Sequence, residues 1–169
     1  MIRENLWVFV SLFVILVAQL MFGCASTMPH PSDQELEQNL RAHEKEFDKL
    51  IRLIEEDADL VRIGPKNVFF NGNSNRRQLP EARIAEYRRL MHALGIQGGI
   101  HRDRNGTMRL IASSKGAVVP NSEKSYVYSR ITPFPLVESL DQLINENRGD
   151  HQPVYKKLYG DWYLYYESW

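Results

Sequence analysis

A chain of 169 residues with 21 Lys and Arg against 21 Asp and Glu has no net charge, and it carries a single cysteine. The length suits one domain and rarely two. Electroneutrality argues against a nucleic-acid partner, and one cysteine excludes an internal disulfide.

Residues 6–22, LWVFVSLFVILVAQLMF, form a run of 17 without charge. As a helix it would span roughly 26 Å at ~1.5 Å per residue. Arg3 precedes it, and no Lys or Arg follows until Arg41. That bias leaves the N-terminus in the cytoplasm and sends the rest across the membrane. The sole cysteine, Cys24, follows this run within LMFGCAS. MFGC resembles the lipobox of bacterial lipoprotein precursors, with an apolar residue three positions before the cysteine and a small one directly before it. Met21 and Phe22 stand where that family usually has Leu and a small residue. The resemblance implies a signal peptide over residues 1–23, lipid on Cys24 with a palmitate-type acyl chain, and a domain facing the periplasm from the cell envelope. Ala25 follows the cysteine, and by the same resemblance it favours the outer over the inner membrane. The other reading is an uncleaved anchor helix that ends at an incidental cysteine. More than one acyl chain makes anchoring stable, where a single chain holds marginally.

Residues 24–33, rich in Pro and small polar groups, read as a tether, with His30 solvated in it. SDQE at 32–35 is a capping-box pattern. Behind it Leu36, Leu40, His43, Phe47, Leu50 and Ile54 recur at helical spacing, so one long helix is expected over 33–57. His43, on its apolar face, reads as half-buried and satisfied.

Val61–Ile63 and Val68–Phe70 read as one interrupted strand or two short ones, followed by the polar loop NGNSNRR. Pro80 opens a helix whose face is Ile84, Tyr87, Met91 and Leu94, and Gly95 ends it. The segment from Gly98 to Ser114 reads as a hairpin turning at DRNG. Residues 125–131 read as a strand and 136–147 as a short helix. The C-terminal stretch reads as two strands joined at Gly160 and Asp161. Together these give one α+β domain over 34–169: an antiparallel sheet of about five to six strands, packed by the long N-terminal helix and a second helix.

Charge is segregated along the chain. Residues 33–59 hold ten acids and four bases, and residues 60–115 hold eleven bases and three acids. This pattern fits internal pairing of the acidic helix with the basic middle. The alternative is a basic face for an anionic partner, built from Arg76, Arg77, Arg88, Arg89, Arg102 and Arg104.

Catalytic motifs are sparse. HEKEF at 43–47 has Phe47 where a zincin helix needs its second histidine. HRD at 101–103 lacks the downstream asparagine and glycine-rich loop of a kinase. His101 and Asp103 are the one candidate general-base pair, since a strand places both on one side. Ser113 and Ser114 are the nucleophiles to consider across the hairpin, and the sequence places neither. No metal or cofactor is expected apart from the lipid on Cys24.

Trp162, Leu164 and Tyr166 share one face of the last strand, and Tyr163 and Tyr165 share the other. The second set is either buried too or exposed for recognition beside Tyr126 or Tyr128. The function expected is noncatalytic binding of an envelope protein or wall component, with Arg76, Arg77, Arg102, Tyr126, Tyr128, Tyr163 and Tyr165 as binding candidates. The alternatives are a small hydrolase using His101 and Asp103, an envelope inhibitor or immunity protein, and a structural role in an envelope assembly.

Overall fold

The computed structural model describes residues 30–71, 79–116, 121–146 and 152–169. Cys24, the segment before it, Arg76 and Arg77 lie outside the described residues. Helices α1 (Asp33–Ala42) and α2 (Glu44–Glu56) lead into strands β1 (Leu60–Ile63) and β2 (Val68–Phe70). Helix α3 (Glu81–Ala93) follows, then β3 (Gly99–Arg102), β4 (Met108–Lys115) and β5 (Ser122–Tyr128). Helix α4 (Leu140–Asn145), β6 (Val154–Lys157) and β7 (Trp162–Ser168) close the chain.

The α+β class holds, with corrections in detail. The strands form one seven-stranded sheet in the order β2-β1-β3-β4-β5-β7-β6. Adjacent strands are antiparallel throughout. The expected long helix is two helices. Ser32 does cap α1, bonded to the Glu35 amide while Glu35 reaches back. The chain then breaks at His43, whose φ of −122° is not helical. The His43 ring nitrogen Nδ1 lies 3.1 Å from the Asn39 carbonyl, and the His43 backbone amide donates to that same oxygen. Helix α3 starts after Pro80 and ends before Gly95, whose φ of 69° suits glycine.

All four helices pack on one sheet face. Leu40, Phe47, Leu50, Ile54, Leu90 and Leu140 are buried there against Leu110, Tyr126 and Leu164. Phe47 meets Tyr126 edge-on at 4.9 Å and Trp162 at 5.4 Å between ring centroids. Tyr126 is fully buried. It donates to the Leu36 carbonyl and receives a bond from Asn39 Nδ2.

Polar residues also sit on that face, each with a partner. Lys124 Nζ lies 2.8 Å from Asp33 and 2.6 Å from Asp141. Lys156 reaches Asp33 at 3.1 Å, and the Leu140 amide donates to Asp33 at 2.9 Å. This cluster ties the starts of α1 and α4 to β5 and β6. It also explains why β5 begins at Ser122 rather than at 125: the polar Ser-Glu-Lys stretch does not read as a strand, but here its side chains are satisfied by other elements.

Edge strand β6 is covered by the segment after β5. The Tyr155 amide donates to the Pro135 carbonyl, and the Val137 amide donates to the Tyr155 carbonyl. Those bonds occupy an edge that would otherwise be open to pairing.

Candidate functional site: the helix-free sheet face

The opposite sheet face carries no helix among the described residues. Its side chains follow from register. Strand pairing places Phe69, Arg62, His101, Arg109, Val127, Tyr163 and Lys157 in one row across the sheet, from β2 to β6. At ~4.8 Å between strands, Arg62 to Lys157 spans roughly 24 Å. Three formal cations and a histidine thus share one line. Beside it runs a second row of Ile111, Ser125, Tyr165 and Tyr155. Beyond that lie Ser114, Glu123 and Glu167.

The centre of this face covers itself. Arg109 lies with its guanidinium carbon 4.8 Å from the Tyr165 ring centroid and its Nε 3.5 Å from Glu123. Ser125 donates to Glu123 at 2.7 Å, and the Tyr165 hydroxyl donates to Glu167. Burial first, and then the bond to Glu167, pushes the Tyr165 phenol well above the ordinary tyrosine value. The Lys157 ammonium sits 4.0 Å from the Tyr163 ring centroid. Hydrogen bonds from Lys157 and Thr132 draw Tyr163 below the usual tyrosine value.

The rims are apolar and exposed. Phe69 is 51% accessible at the β2 side. Phe134 and Leu136 are 87% and 44% accessible in the segment that wraps β6, while Ile131, 63% accessible, borders a cleft with Glu55, Arg102 and Tyr128 on the helix side. Arg62 and Lys157 are exposed, and His101 and Arg109 are partly so.

The sequence-based candidates divide sharply. Tyr126, Tyr163 and Tyr165 are buried, so the expected surface of tyrosines does not exist. Tyr126 and Tyr128 moreover lie on the helix side, Tyr128 against Trp162 at 5.2 Å. Arg102, expected in a basic face, points to the helix side and donates to the Ile54 and Ala58 carbonyls at the end of α2. Those carbonyls lack helical partners, so the guanidinium caps them. Arg88 and Arg89 are exposed on α3, away from the cation row.

His101 and Asp103 do meet, with Nδ1 to Oδ1 at 3.1 Å. Ser113 does not join them. Simple alternation puts Ser113 on the side of Arg109, but the register shifts between Ile111 and Ser113. The added residue of this bulge turns Ser113 to the helix side. There His30 takes it: Nδ1 lies 2.6 Å from the Ser113 hydroxyl, and Nε2 lies 2.9 Å from the Ser122 hydroxyl. His30 is therefore held against the sheet rather than solvated. Burial first, then the charges of Lys115 and Lys124, lowers its pKa to about 4.

Among the described residues no three His, Cys, Asp or Glu side chains converge as a metal site. Cavities around the fold are open clefts. One of about 470 Å³ lies between Glu56, Asp57, Phe70 and Pro80. Another of about 320 Å³ borders the cation row at Arg62, Lys66, Phe69 and Gly98.

The fold and face define a two-layer α+β domain with helices on one side and a charged, aromatic-rimmed sheet face on the other. No protein-family model, curated protein or solved structure matches the chain.

Proposed function

We propose that this chain is a lipid-anchored protein of the bacterial envelope whose domain is a noncatalytic binding module. It takes an acidic envelope protein or an anionic wall component on the helix-free sheet face. The row of Arg62, His101, Arg109 and Lys157 between apolar rims is the observation that carries this reading. Arginine and aromatic groups concentrate binding energy at recognition surfaces, and aligned charge of one sign selects a partner of the other. The anchoring half of the reading rests on the lipobox-like MFGC and the apolar run before it. Ala25 favours the periplasmic leaflet of the outer membrane. An inhibitor or immunity protein is one form such a module takes.

Two measurements test the two halves. Palmitate labelling is expected on the full chain and lost in Cys24→Ala, together with the mature-size band. An unlabelled wild type of unchanged size contradicts the anchor. Photocrosslinking from Arg62 in intact cells is expected to trap one discrete species, lost in the Lys157→Glu variant at the other end of the row. No such species from a folded, anchored protein contradicts the binding role.

One contact favours a second reading, a small hydrolase. Asp103 Oδ1 lies 3.1 Å from His101 Nδ1, the approach an acid makes to a general base, though without the geometry of a hydrogen bond. Equal loss of function in His101→Asn and Asp103→Asn, with folding intact, would favour it. Loss in Arg62→Glu alone favours binding.

A further inference from the structure

The way the chain enters the domain sets which end of the sheet meets the membrane. His30 is fixed between Ser113 near the end of β4 and Ser122 at the start of β5, and the Tyr166 ring stands edge-on to it at 5.7 Å. Cys24 precedes His30 by six residues. Six residues reach at most about 22 Å when fully extended. The His30 backbone therefore lies no farther than that from the lipid, a span comparable to β4, whose eight residues run roughly 26 Å at ~3.3 Å each. The leash thus enters the domain at one end of the sheet, and the other end lies a strand length farther from the point of entry.

The leashed end has the chemistry of a bilayer contact. Lys115 pairs with Ser122 there, and Ser122 pairs with Ser168. The Trp169 amide donates to the Asn121 carbonyl at 2.8 Å, which places Trp169 beside them. Trp169 is 51% accessible. Exposed Lys66, in the turn after β1, lies toward the same end, because β1 and β4 run in the same direction. Glu35, also near this end, is engaged with Ser32 in the helix cap. Tryptophan prefers the headgroup layer, where an apolar ring and a polar N–H are both accommodated, and lysines favour anionic headgroups. The opposite end carries the turn between β3 and β4, with exposed Asp103, Arg104 and Asn105, and beside it exposed Ile131 and Arg130, the latter paired with Glu55. Among the described residues it has no exposed tryptophan.

We propose that the domain stands on the bilayer by the end of its sheet that carries His30, Lys115 and Trp169, with the Trp169 ring in the headgroup layer. The cation row then faces sideways into the periplasmic space, and the β3–β4 turn points away from the lipid. This rests on the lipid-anchor reading, and it adds an orientation which that reading does not supply.

The full chain, purified from membranes and returned to vesicles of phosphatidylethanolamine and phosphatidylglycerol, tests it. Nitroxide is attached at Asn121→Cys, beside Trp169, or at Arg104→Cys in the far turn. An acylated Cys24 has no free thiol, and mass spectrometry of each preparation reads its state. The label at 121 is expected to show an oxygen-to-nickel accessibility ratio several-fold above that at 104, falling toward it in Trp169→Ala. An acylated, vesicle-bound protein with both labels equally in water overturns the orientation alone. A protein with unmodified Cys24 that stays out of the vesicle fraction overturns the anchor and the orientation together.

Discussion

Lys124 is wholly inside the protein, and its ammonium is held there by two carboxylates. Desolvation opposes charge on Asp33, but hydrogen bonds and charge from Lys124, a bond from Lys156 and the Leu140 amide outweigh it and lower its pKa. Removing one member of a buried pair strands the other, at about 3–5 kcal/mol. Asp33→Ala is expected to lose stability on that scale in urea unfolding, while Glu37→Ala, on the outside of α1, stays within about 0.5 kcal/mol. The pH dependence has two parts, both with stability falling as acid is added. The pKa of His30 is lowered on folding to about 4. Its contribution is complete above the unfolded value near 6.5 and is lost between there and about 4, because the unfolded chain takes up the proton first. Asp33, also lowered, loses its contribution only below the ordinary carboxylate range. His30→Gln is expected to remove the upper part of the acid slope and leave the lower. An unchanged slope between pH 6.5 and 4 would contradict the placement of His30. Neither role was legible in the sequence. His30 sits among prolines, and its partners lie more than eighty residues away. Lys124 lies in a stretch whose polarity reads as surface.

At the scale of elements, the signals carried by neighbouring residues translated well. Ser32 and Glu35 make the capping box, Pro80 and Gly95 bound α3, and Gly106 with a φ of 86° turns the β3–β4 hairpin. Each is a local demand of the backbone, so the sequence states it directly. Two features resisted because they depend on distant partners. One is the break at His43, which helical spacing alone does not register. The other is the bulge after Ile111, which reverses the side taken by Ser113 and removes it as a nucleophile candidate beside His101. Gly99 lies where β3 passes close against the end of β1. Its φ is 96°, and a Cβ there would lie 2.4 Å from the Ile63 carbonyl oxygen. Gly99→Ala is expected to cost at least about 2 kcal/mol through backbone strain and the parting of β1 from β3. Gly106→Ala, with open space around the added Cβ, is expected to cost about 1 kcal/mol, from its positive φ alone. Thermal unfolding of the two variants side by side checks the order.

Over the whole molecule, the internal-pairing reading of the charge pattern finds some of its residues, whereas the basic face expected from Arg88, Arg89 and Arg102 does not form, since Arg102 turns to the helix side and Arg88 and Arg89 lie on α3. The acidic helices pair with the basic middle through Arg83, which meets Glu56 and Asp57. Lys49 with Glu86 joins α2 to α3 in the opposite sense, and Arg102 binds carbonyls at the end of α2. Across the helix-free face Arg62, His101 and Arg109, the last also paired with Glu123, line up with Lys157 from β6. Composition could show the excess of bases but not this line, because the line exists only in the register between strands. Arg62 is exposed on a short strand, so Arg62→Glu is expected to leave stability within about 0.5 kcal/mol. Binding through the face should weaken in that variant. It should weaken in the wild type too as salt rises, since exposed charges are screened over about 8–10 Å at physiological ionic strength.

The most direct measurement is a paired photocrosslink on the full chain in intact cells. One probe replaces Arg62 in the cation row, and the other replaces Arg89 on the outer side of α3. A discrete crosslinked species from position 62, absent from position 89 and lost when Lys157 is changed to Glu, is the result expected of a module that binds through its helix-free face. Crosslinks from position 89 with none from position 62, in a protein shown to be folded and membrane-bound, would contradict it.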